Sequence, residues 1–347
     1  MDIVTQPLNV EPDSLETTVA SSAKVVQPAE IRIRGKATRV PSVDIGDRTI
    51  VSTGRWIKVA SVREEDLITG ATISDLDPFL NRLQKSGLKA DIFTFAQRVP
   101  DSDARYPVHT EWENAAAIRI TSFQEWLEKS IARGARKAVN RAKKLGVVTR
   151  IVPFSDEFVE QICHAYNETP VRQGKAFWHY KKDLNTVRHE LGTYLDRSVF
   201  IGAYLDDEFI GSLKMTYCGP VAAMMQIFSV SRHFDKKPNN ALIAKAVEVC
   251  ELEGKTHLTY GSFTYNDADT SLTEFKRNIG FEAIALPRYY IPLTLKGRIA
   301  LKCGLNRGLA ASIPKPLLKL LVRARKTWLE RKGNKASNPR GNEAESG

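Results

Sequence analysis

Residues 221–254, VAAMMQIFSVSRHFDKKPNNALIAKAVEVCELEG, contain the pattern that decides the fold. The apolar and β-branched first part predicts a buried strand, and the part after the basic turn predicts a helix that begins at Asn239 or Asn240. Free N–H groups at a helix start attract anions, and Lys236 and Lys237 add positive charge there. The alternative is an ordinary crossover with solvated lysines. The junction is therefore either a phosphate site or a plain strand-to-helix connection.

The composition is that of a globular protein with a basic end. The 347 residues are 42% hydrophobic and 26% charged, enough for one large or two medium domains. The net charge is +11, and from residue 295 onward thirteen Lys or Arg stand against three acids, so the rest is nearly neutral. This distribution argues against a protein that coats nucleic acid along its whole surface. The four cysteines lie far apart, which predicts reduced thiols and no metal site.

Changes in composition and periodicity divide the chain into five segments. Residues 1–30 predict a disordered lead with no signal peptide, and no apolar run is long enough to cross a bilayer, so we expect a cytoplasmic protein. The other segments are a smaller N-terminal α/β unit ending in a basic helix (31–145), a larger α/β unit (146–294), a basic amphipathic helical tail (295–332) and a disordered end (333–347).

The larger unit has the most regular pattern. Its apolar runs predict the order βααβββαβαββ, in which meandering strands precede a strand–helix–strand crossover. Such an order implies an α/β (α+β) fold with a mixed, mainly antiparallel sheet flanked by helices. The last two strands are predicted at 281–285 and 289–293. The chain contains no Walker loop, HExxH or GxSxG, which argues against nucleotide hydrolysis, zinc proteolysis and the usual serine hydrolases.

The predicted order resembles the GNAT superfamily of acyltransferases over residues 146–294. In that family a turn reading Arg/Gln-x-x-Gly-x-Gly/Ala holds the pyrophosphate of acyl-coenzyme A, and the corresponding residues here are Lys236, Asn239 and Ala241. The segment LTEFKRNIGF at 272–281 is similar to the last helix and the "GF" strand of the family. The resemblance implies a GNAT-like fold that uses acetyl-CoA or another acyl-CoA as co-substrate.

A related branch, the Fem-type transferases with two GNAT-like units, is similar in a further respect. Its first unit commonly ends in a basic helix, and the run RGARKAVNRAKKLGV at 133–147 is similar to that helix. Residues 31–145 would then be a shortened first copy. The resemblance implies transfer of an acyl group to an amine of a small or cell-envelope-related acceptor, with aminoacyl-tRNA as the alternative donor. The competing hypothesis is a non-catalytic GNAT-like module that binds RNA or an anionic membrane through this helix and the tail.

The resemblance also implies site residues. In GNAT-like folds, backbone N–H groups polarise the thioester where two strands splay apart, which indicates Phe228, Ser229 and Val230. These three residues and the crossover at 236–241 form the expected cofactor site. The acid is often a tyrosine beyond the next strand, and three polar side chains fall near that place: Tyr260, Ser262 and Tyr265. Tyr265 is our first choice, because it should stand free of the strand.

The loop NETPVRQGKAFWHY at 167–180 combines polar and aromatic groups that few connectors need together. An acceptor site needs groups that orient a polar ligand and remove the proton of an amine. Six side chains are therefore candidates: Glu168 and His179 for catalysis, and Arg172, Gln173, Trp178 and Tyr180 for substrate binding. The alternative is a loop held by its own hydrogen bonds, with His179 packed on Trp178.

The tail forms a separate hypothesis. Between residues 312 and 332, Leu and Trp share one helical face while Lys and Arg share the opposite face. A basic amphipathic helix with Trp can lie on an anionic membrane, which would place the protein at the inner membrane face. The alternative is that the tail docks on the protein's own core.

Overall fold

The computed structural model describes residues 26–33, 36–67, 73–172, 174–265 and 268–307. The predicted disordered end, the predicted helix at 312–332 and nearly all of the predicted lead lie outside these residues. The first strand starts at Gln27, which is inside the segment predicted as the lead. None of the described helices combines the length and hydrophobicity needed to span a bilayer.

The strands and helices have the following bounds. The strands are β1 (Gln27–Ile33), β2 (Lys36–Ile45), β3 (Arg48–Thr53), β4 (Val59–Val62), β5 (Ile92–Ala96), β6 (His109–Arg119), β7 (Val148–Val152), β8 (Val171–Arg172), β9 (Lys175–Ala176), β10 (Ser198–Leu205), β11 (Glu208–Cys218), β12 (Val221–Ser229), β13 (His257–Ser262) and β14 (Glu282–Pro292). The helices are α1 (Leu76–Lys85), α2 (Phe123–Glu125), α3 (Arg133–Lys144), α4 (Asp156–Asn167), α5 (Leu184–Leu191), α6 (Pro238–Leu252), α7 (Ser271–Asn278) and α8 (Leu295–Lys302).

Among the described residues, twelve strands form one sheet in the order β1-β2-β3-β4-β5-β14-β6-β13-β12-β11-β10-β7, while β8 and β9 form a separate hairpin. Only the pairs β4/β5 and β12/β13 in this sheet are parallel. Each parallel pair is joined through a helix, α1 in the first case and α6 in the second. The sheet is thus mixed and mainly antiparallel with flanking helices, and the predicted fold class is confirmed.

The two halves of the sheet exchange their last strands. The strand β14 pairs with β5 on one side and with β6 on the other. In turn, β6 pairs with β13 from the second half. Each half therefore contributes a strand to the sheet of the other, and the two halves share one continuous sheet.

Helices cover both faces of the second half. On one face α3 and α6 pack over a core that includes Ile118, Leu213 and Leu258. On the opposite face α4 and α5 enclose a second core around Phe158 and Phe200. The helix α1 closes a third core on the first half. This layering leaves the centre of the sheet, near β6, β13 and β14, free of a covering helix on the α4 side.

Two predicted elements differ in the structure. The two final strands predicted at 281–285 and 289–293 are the single strand β14, because the ladder continues past Pro287, whose carbonyl accepts the N–H of Gln97 at 3.0 Å. The helix predicted from Ser122 into the basic run is broken. A π-helix at Trp126–Ser130 follows α2, and Ile131 is extended, so that both Trp126 and Ile131 are buried before α3 begins.

Candidate active site

The parallel strands β12 and β13 separate at the centre of the sheet. They pair only from Val221 to Ala223, opposite His257 to Thr259. Beyond this point Met225 lies opposite no residue of β11 or β13, because the β11–β12 register shifts there. The β13–β6 register also shifts, between Thr259 and Ser262. These two irregularities open the sheet along the line where β12 and β13 would otherwise pair.

A cleft of about 1100 Å³ occupies this opening. Its floor comes from β6, β12, β13 and β14, and its walls come from the turn after β4 and from the segment between β5 and β6. The side chains of Trp112, Met225 and Tyr265 are exposed at the rim. The lining also includes the exposed carboxylates of Glu64, Asp66, Asp101 and Glu113 and the mostly buried guanidinium groups of Arg98 and Arg288. The cleft therefore combines exposed apolar and acidic side chains with two mostly buried arginines.

The position of Tyr265 depends on a glycine and an asparagine. Gly261 has φ +55°, and a Cβ there would lie 2.9 Å from the Tyr265 hydroxyl. The next turn is held by Asn114, whose Nδ2 donates to Thr264 Oγ1 at 3.1 Å and whose Oδ1 accepts the Thr264 N–H at 2.8 Å. A strand of the first half thus fixes the loop that carries Tyr265 in the second half.

A buried lysine supports the same loop from below. The ammonium of Lys276 donates to the carbonyls of Tyr260 at 2.8 Å and Ser262 at 2.6 Å, and lies 5.1 Å from the ring centre of Tyr265. Burial lowers the pKa of Lys276 to about 8. This side chain replaces ladder hydrogen bonds that the bulge in β13 removes.

An ion network holds the floor of the cleft. Glu65 Oε2 accepts from Arg98 Nη2 and from Arg288 Nη2, each at 2.8 Å, and Arg288 also donates to Glu113. Burial disfavours the charge of Arg288, but Glu65 and Glu113 together raise its pKa. Glu65 also accepts the N–H of Ala96 at the end of β5, so the separation of β4 and β5 in the first half is filled by a side chain.

Among the predicted site residues that the structure describes, Tyr265 lines this cleft together with Ser262, another candidate acid, and no described residue of the loop at 167–180 reaches it. In that loop Arg172 donates to the carbonyls of Ser229 at 2.9 Å and Ala165 at 3.2 Å. Its guanidinium carbon lies 4.0 Å from the ring centre of Phe177, and burial lowers the pKa of Arg172. Arg172 is thus bound to protein groups where we expected it to bind a substrate anion.

The other residues of the loop also contact protein groups. Glu168 forms an ion pair with Arg232. The His179 ring is buried 4.0 Å from the ring of Tyr166 and 3.6 Å from that of Trp178, and burial lowers its pKa to about 4. These contacts agree with the alternative interpretation, in which the side chains of the loop bind other protein groups and His179 packs on Trp178. The catalytic and binding roles stay predictions.

The remaining loop candidates differ in exposure. Trp178 exposes most of its side chain and stacks under the ammonium of Lys182 at 3.9 Å. Tyr180 is half-buried. Gln173 lies outside the described residues.

Three predicted cofactor residues stand at the end of β12. The Val230 N–H donates to the Ile210 carbonyl at 2.8 Å, so Val230 and Phe228 face β11 in the alternating ladder. The backbone of Ser229 faces the other side, where Arg172 occupies its carbonyl. Of the three amides proposed to polarise a thioester, this register leaves only that of Ser229 pointing away from β11.

The predicted phosphate junction does not fit a pyrophosphate. The helix α6 begins at Pro238 after Lys237, which has φ +60°. The N–H groups of Asn240 and Ala241 both donate to the Lys237 carbonyl, at 3.1 and 3.3 Å, and Pro238 has no N–H. Within this turn only the amide of Asn239 is left for an anion, whereas a pyrophosphate cradle needs several adjacent amides. Lys236 pairs with its neighbour Asp235 at 3.0 Å.

The acidic groups of the cleft were not predicted from the sequence. They come from the turn after β4, from the segment between β5 and β6 and from β6, all of which lie more than a hundred residues before Tyr265 in the chain. The available signal was the alternation of polar and apolar residues in HTEWENAAAIR, which places Glu111, Glu113 and Ala115 on one face of β6. In the described residues, no group of three or more His, Cys, Asp or Glu is placed to hold a metal ion.

No protein-family model matches the chain, and no curated protein sequence matches it. Among solved structures, FemX is 12% identical with a TM-score of 0.54, over 80% of this chain and 90% of FemX. A conserved protein of unknown function from Bacteroides thetaiotaomicron is 9% identical with a TM-score of 0.50, over 74% of this chain and 86% of that protein. The L-PGS structure from Bacillus licheniformis is 13% identical with a TM-score of 0.46, over 74% of this chain and 84% of that protein. Through the similarity to FemX the resemblance is confirmed at the level of fold: the chain has a GNAT-like, Fem-type fold.

Proposed function

We propose that the protein transfers an acyl group to the amine of an acceptor bound in the cleft between β12 and β13. The observation that carries this proposal is the open separation of these two strands, with Tyr265 on one side and the unpaired position of Met225 on the other. An opening between parallel strands gives a planar carbonyl access to backbone groups from within the sheet. The corresponding opening in the first half is filled by Glu65.

The charges in the cleft suit a positively charged acceptor. Each carboxylate of the lining pairs with an arginine, and together with Glu65 five carboxylates stand against four guanidinium groups, which leaves a net charge of −1. An ammonium group entering the cleft would thus meet net negative charge at short range. The apolar rim would contact the hydrocarbon part of the same molecule. We infer that the acceptor is an amine with an apolar portion.

The transfer step needs three groups. The acceptor nitrogen attacks the donor carbonyl carbon, so a C–N bond forms while the bond from that carbon to the leaving oxygen or sulfur breaks. The ammonium first loses one proton to solvent, and a carboxylate of the cleft takes the second proton from the nitrogen as the amide forms. Glu168 and His179 do not line the cleft and are not assigned this role. The Tyr265 hydroxyl gives a proton to the leaving group and regains one from solvent, to which it is exposed.

The donor is proposed from the junction before α6. Because that turn has too few free amides for a pyrophosphate, the residues present do not fit acyl-CoA. The alternative donor is aminoacyl-tRNA, whose phosphates need positive surface. The cations of α3 supply it: no described acidic side chain pairs with Arg133, Lys137, Arg141, Lys143 or Lys144. We therefore propose an aminoacyl ester as the donor.

A transfer assay tests the reaction and the donor. Purified protein is incubated with a lysine-containing peptide and either labelled aminoacyl-tRNA or labelled acetyl-CoA, and the labelled peptide is counted. We expect product from the first donor only. We also expect a rate that is ~10²-fold lower for Tyr265→Phe, since general acid catalysis contributes about this factor. Tyr217→Phe is the matched control, because its hydroxyl lies outside the cleft and has no hydrogen-bond partner. Equal rates for the two variants would remove Tyr265 from the mechanism. Turnover of acetyl-CoA would refute the proposal that the donor is an aminoacyl ester.

The unpaired cations of α3 also favour a second candidate, a module that binds RNA without chemistry. Under this hypothesis Lys137→Glu with Arg141→Glu abolishes RNA binding, and no product forms with any amine. Transfer by the native protein would exclude the second candidate. Tight RNA binding that depends on these two residues, without transfer to a broad panel of amines, would favour it over the first.

A further inference from the structure

Three large apolar side chains form an exposed patch at the end of the molecule where α8 packs. Trp56 is 79% exposed, Leu295 is 72% exposed and Ile299 is 56% exposed. Leu295 and Ile299 are four residues apart on α8, so they share one helical face. The side chain of Lys296 reaches the carbonyl of Trp56, which places the loop of Trp56 beside the helix. We call these three residues the Trp56 patch.

The patch is presented by rigid backbone. A Cβ at Gly54, which has φ +100°, would collide with the carbonyl of Ile57, so the loop that carries Trp56 is tightly folded. The helix α8 lies so close to β5 that a Cβ at Gly297 would overlap the carbonyl of Asp91. These close approaches fix which way the loop and the helix face. The exposed apolar side chains are therefore a stable feature of the surface.

The surroundings of the patch are positively charged. The exposed side chains of Arg55, Lys296, Arg298 and Lys302 flank it. The nearest acid, Asp91, is mostly buried and already accepts from the Lys58 N–H at 2.8 Å and pairs with Lys296 at 3.4 Å. In the sequence, no acid occurs between residues 295 and 329. Lys296 is thus paired, whereas Arg55, Arg298 and Lys302 have no acidic partner among the described residues and leave net positive charge on the borders of the patch.

We propose that the Trp56 patch docks on the interface of an anionic bilayer. Trp at the headgroup level, aliphatic side chains below it and Lys or Arg at the borders are the pattern of interfacial membrane binding. A protein partner would need acidic groups around an apolar pocket, whereas a bilayer presents both everywhere on its surface. The basic chain that continues beyond α8 adds attraction to the same surface. This proposal does not depend on the reaction in the cleft.

Flotation with vesicles tests the proposal on the full chain. The native protein is expected to float with vesicles of phosphatidylcholine and phosphatidylglycerol, but not with phosphatidylcholine alone, and less at high salt. We expect about tenfold weaker partitioning for Trp56→Ala and for Ile299→Ser, because each removes apolar area from the interface. Leu252→Ser is the matched control, since Leu252 is 76% exposed at the end of α6, outside the patch.

Each other outcome counts against the proposal. If the patch variants float as well as the native protein, the basic tail binds without the patch. If the native protein does not float with anionic vesicles, no membrane docking occurs. If light scattering shows a dimer that Ile299→Ser dissociates, and flotation is unchanged, the patch is covered by a second copy of the chain. Thermal unfolding of all variants should match the native protein, because the substituted side chains are exposed.

Discussion

The contact between α8 and β5 predicts a large and unusual effect for Gly297→Ala. Alanine in place of a helical glycine normally stabilises a protein, by up to about 1 kcal/mol. Here a Cβ would lie 1.9 Å from the carbonyl oxygen of Asp91, so α8 must move outward by about 1 Å to reach even the shortest separations found in proteins. This shift would loosen the Thr294–Asp91 hydrogen bond, now 3.0 Å, and the packing of Ala300 on Tyr290.

Overpacking costs about 1–3 kcal/mol, and an overlap with backbone belongs at the upper end, so a net loss of about 2 kcal/mol is expected after the gain in helix propensity. Urea unfolding followed by circular dichroism measures the change. Gly134→Ala in the first turn of α3 is the matched control, because nothing lies within 4 Å of its Cβ, and we expect a gain of about 0.5 kcal/mol. A Gly297→Ala protein as stable as the native one would refute the reasoning that α8 is locked on the sheet.

Three further predictions concern stability and the cleft. The folded pKa of His179, about 4, lies below its unfolded value of about 6.5, so the unfolded chain binds more protons between these values. The free energy of unfolding of the native protein should therefore fall by about 1–3 kcal/mol more between pH 7 and pH 4 than that of His179→Phe. Urea titrations that show the same pH dependence for both proteins would contradict this. Lys276→Met leaves two buried carbonyls of β13 without their donor, so the urea midpoint should drop by the equivalent of about 2–4 kcal/mol, whereas Lys245→Met should change little. Gly261→Ala should slow transfer about as much as Tyr265→Phe, because the first displaces the Tyr265 hydroxyl and the second removes it. The double variant should then be no slower than either single variant, and additive losses would show that the two residues have independent roles.

The parts of the fold that could be predicted from the sequence are those with strong local periodicity. The strand β12 and the helix α6 are each marked by an apolar pattern, and the structure has both within a few residues of the predicted bounds. The break at Ile131 could not be predicted in this way. It arises because Trp126, whose Nε1 donates to the Ile279 carbonyl at 3.1 Å, must reach a core built by residues far along the chain.

The candidate site was harder to predict for the same reason. Tyr265 was found through the resemblance, since its place follows from the strand order. Glu65 and Glu113 were not, because strand exchange brings them together on Arg288 beside the cleft, and no local pattern encodes such pairing. The loop at 167–180 was a reasonable candidate by composition. However, composition does not distinguish groups that bind a ligand from groups that bind one another, as Arg172 does with Ser229.

The exchange of β6 and β14 sets the order in which this protein can fold during synthesis. The hydrogen bond between Arg288 and Thr94 joins residues that are 194 positions apart, and β5 has no partner on that side until β14 leaves the ribosome. The first half therefore waits with an open edge while the second half is translated, and such edges invite pairing with other chains. We therefore expect closure to come late, when β14 inserts between β5 and β6 and completes both halves together. A chain cut before residue 282 should accordingly lose the cooperative unfolding of both halves.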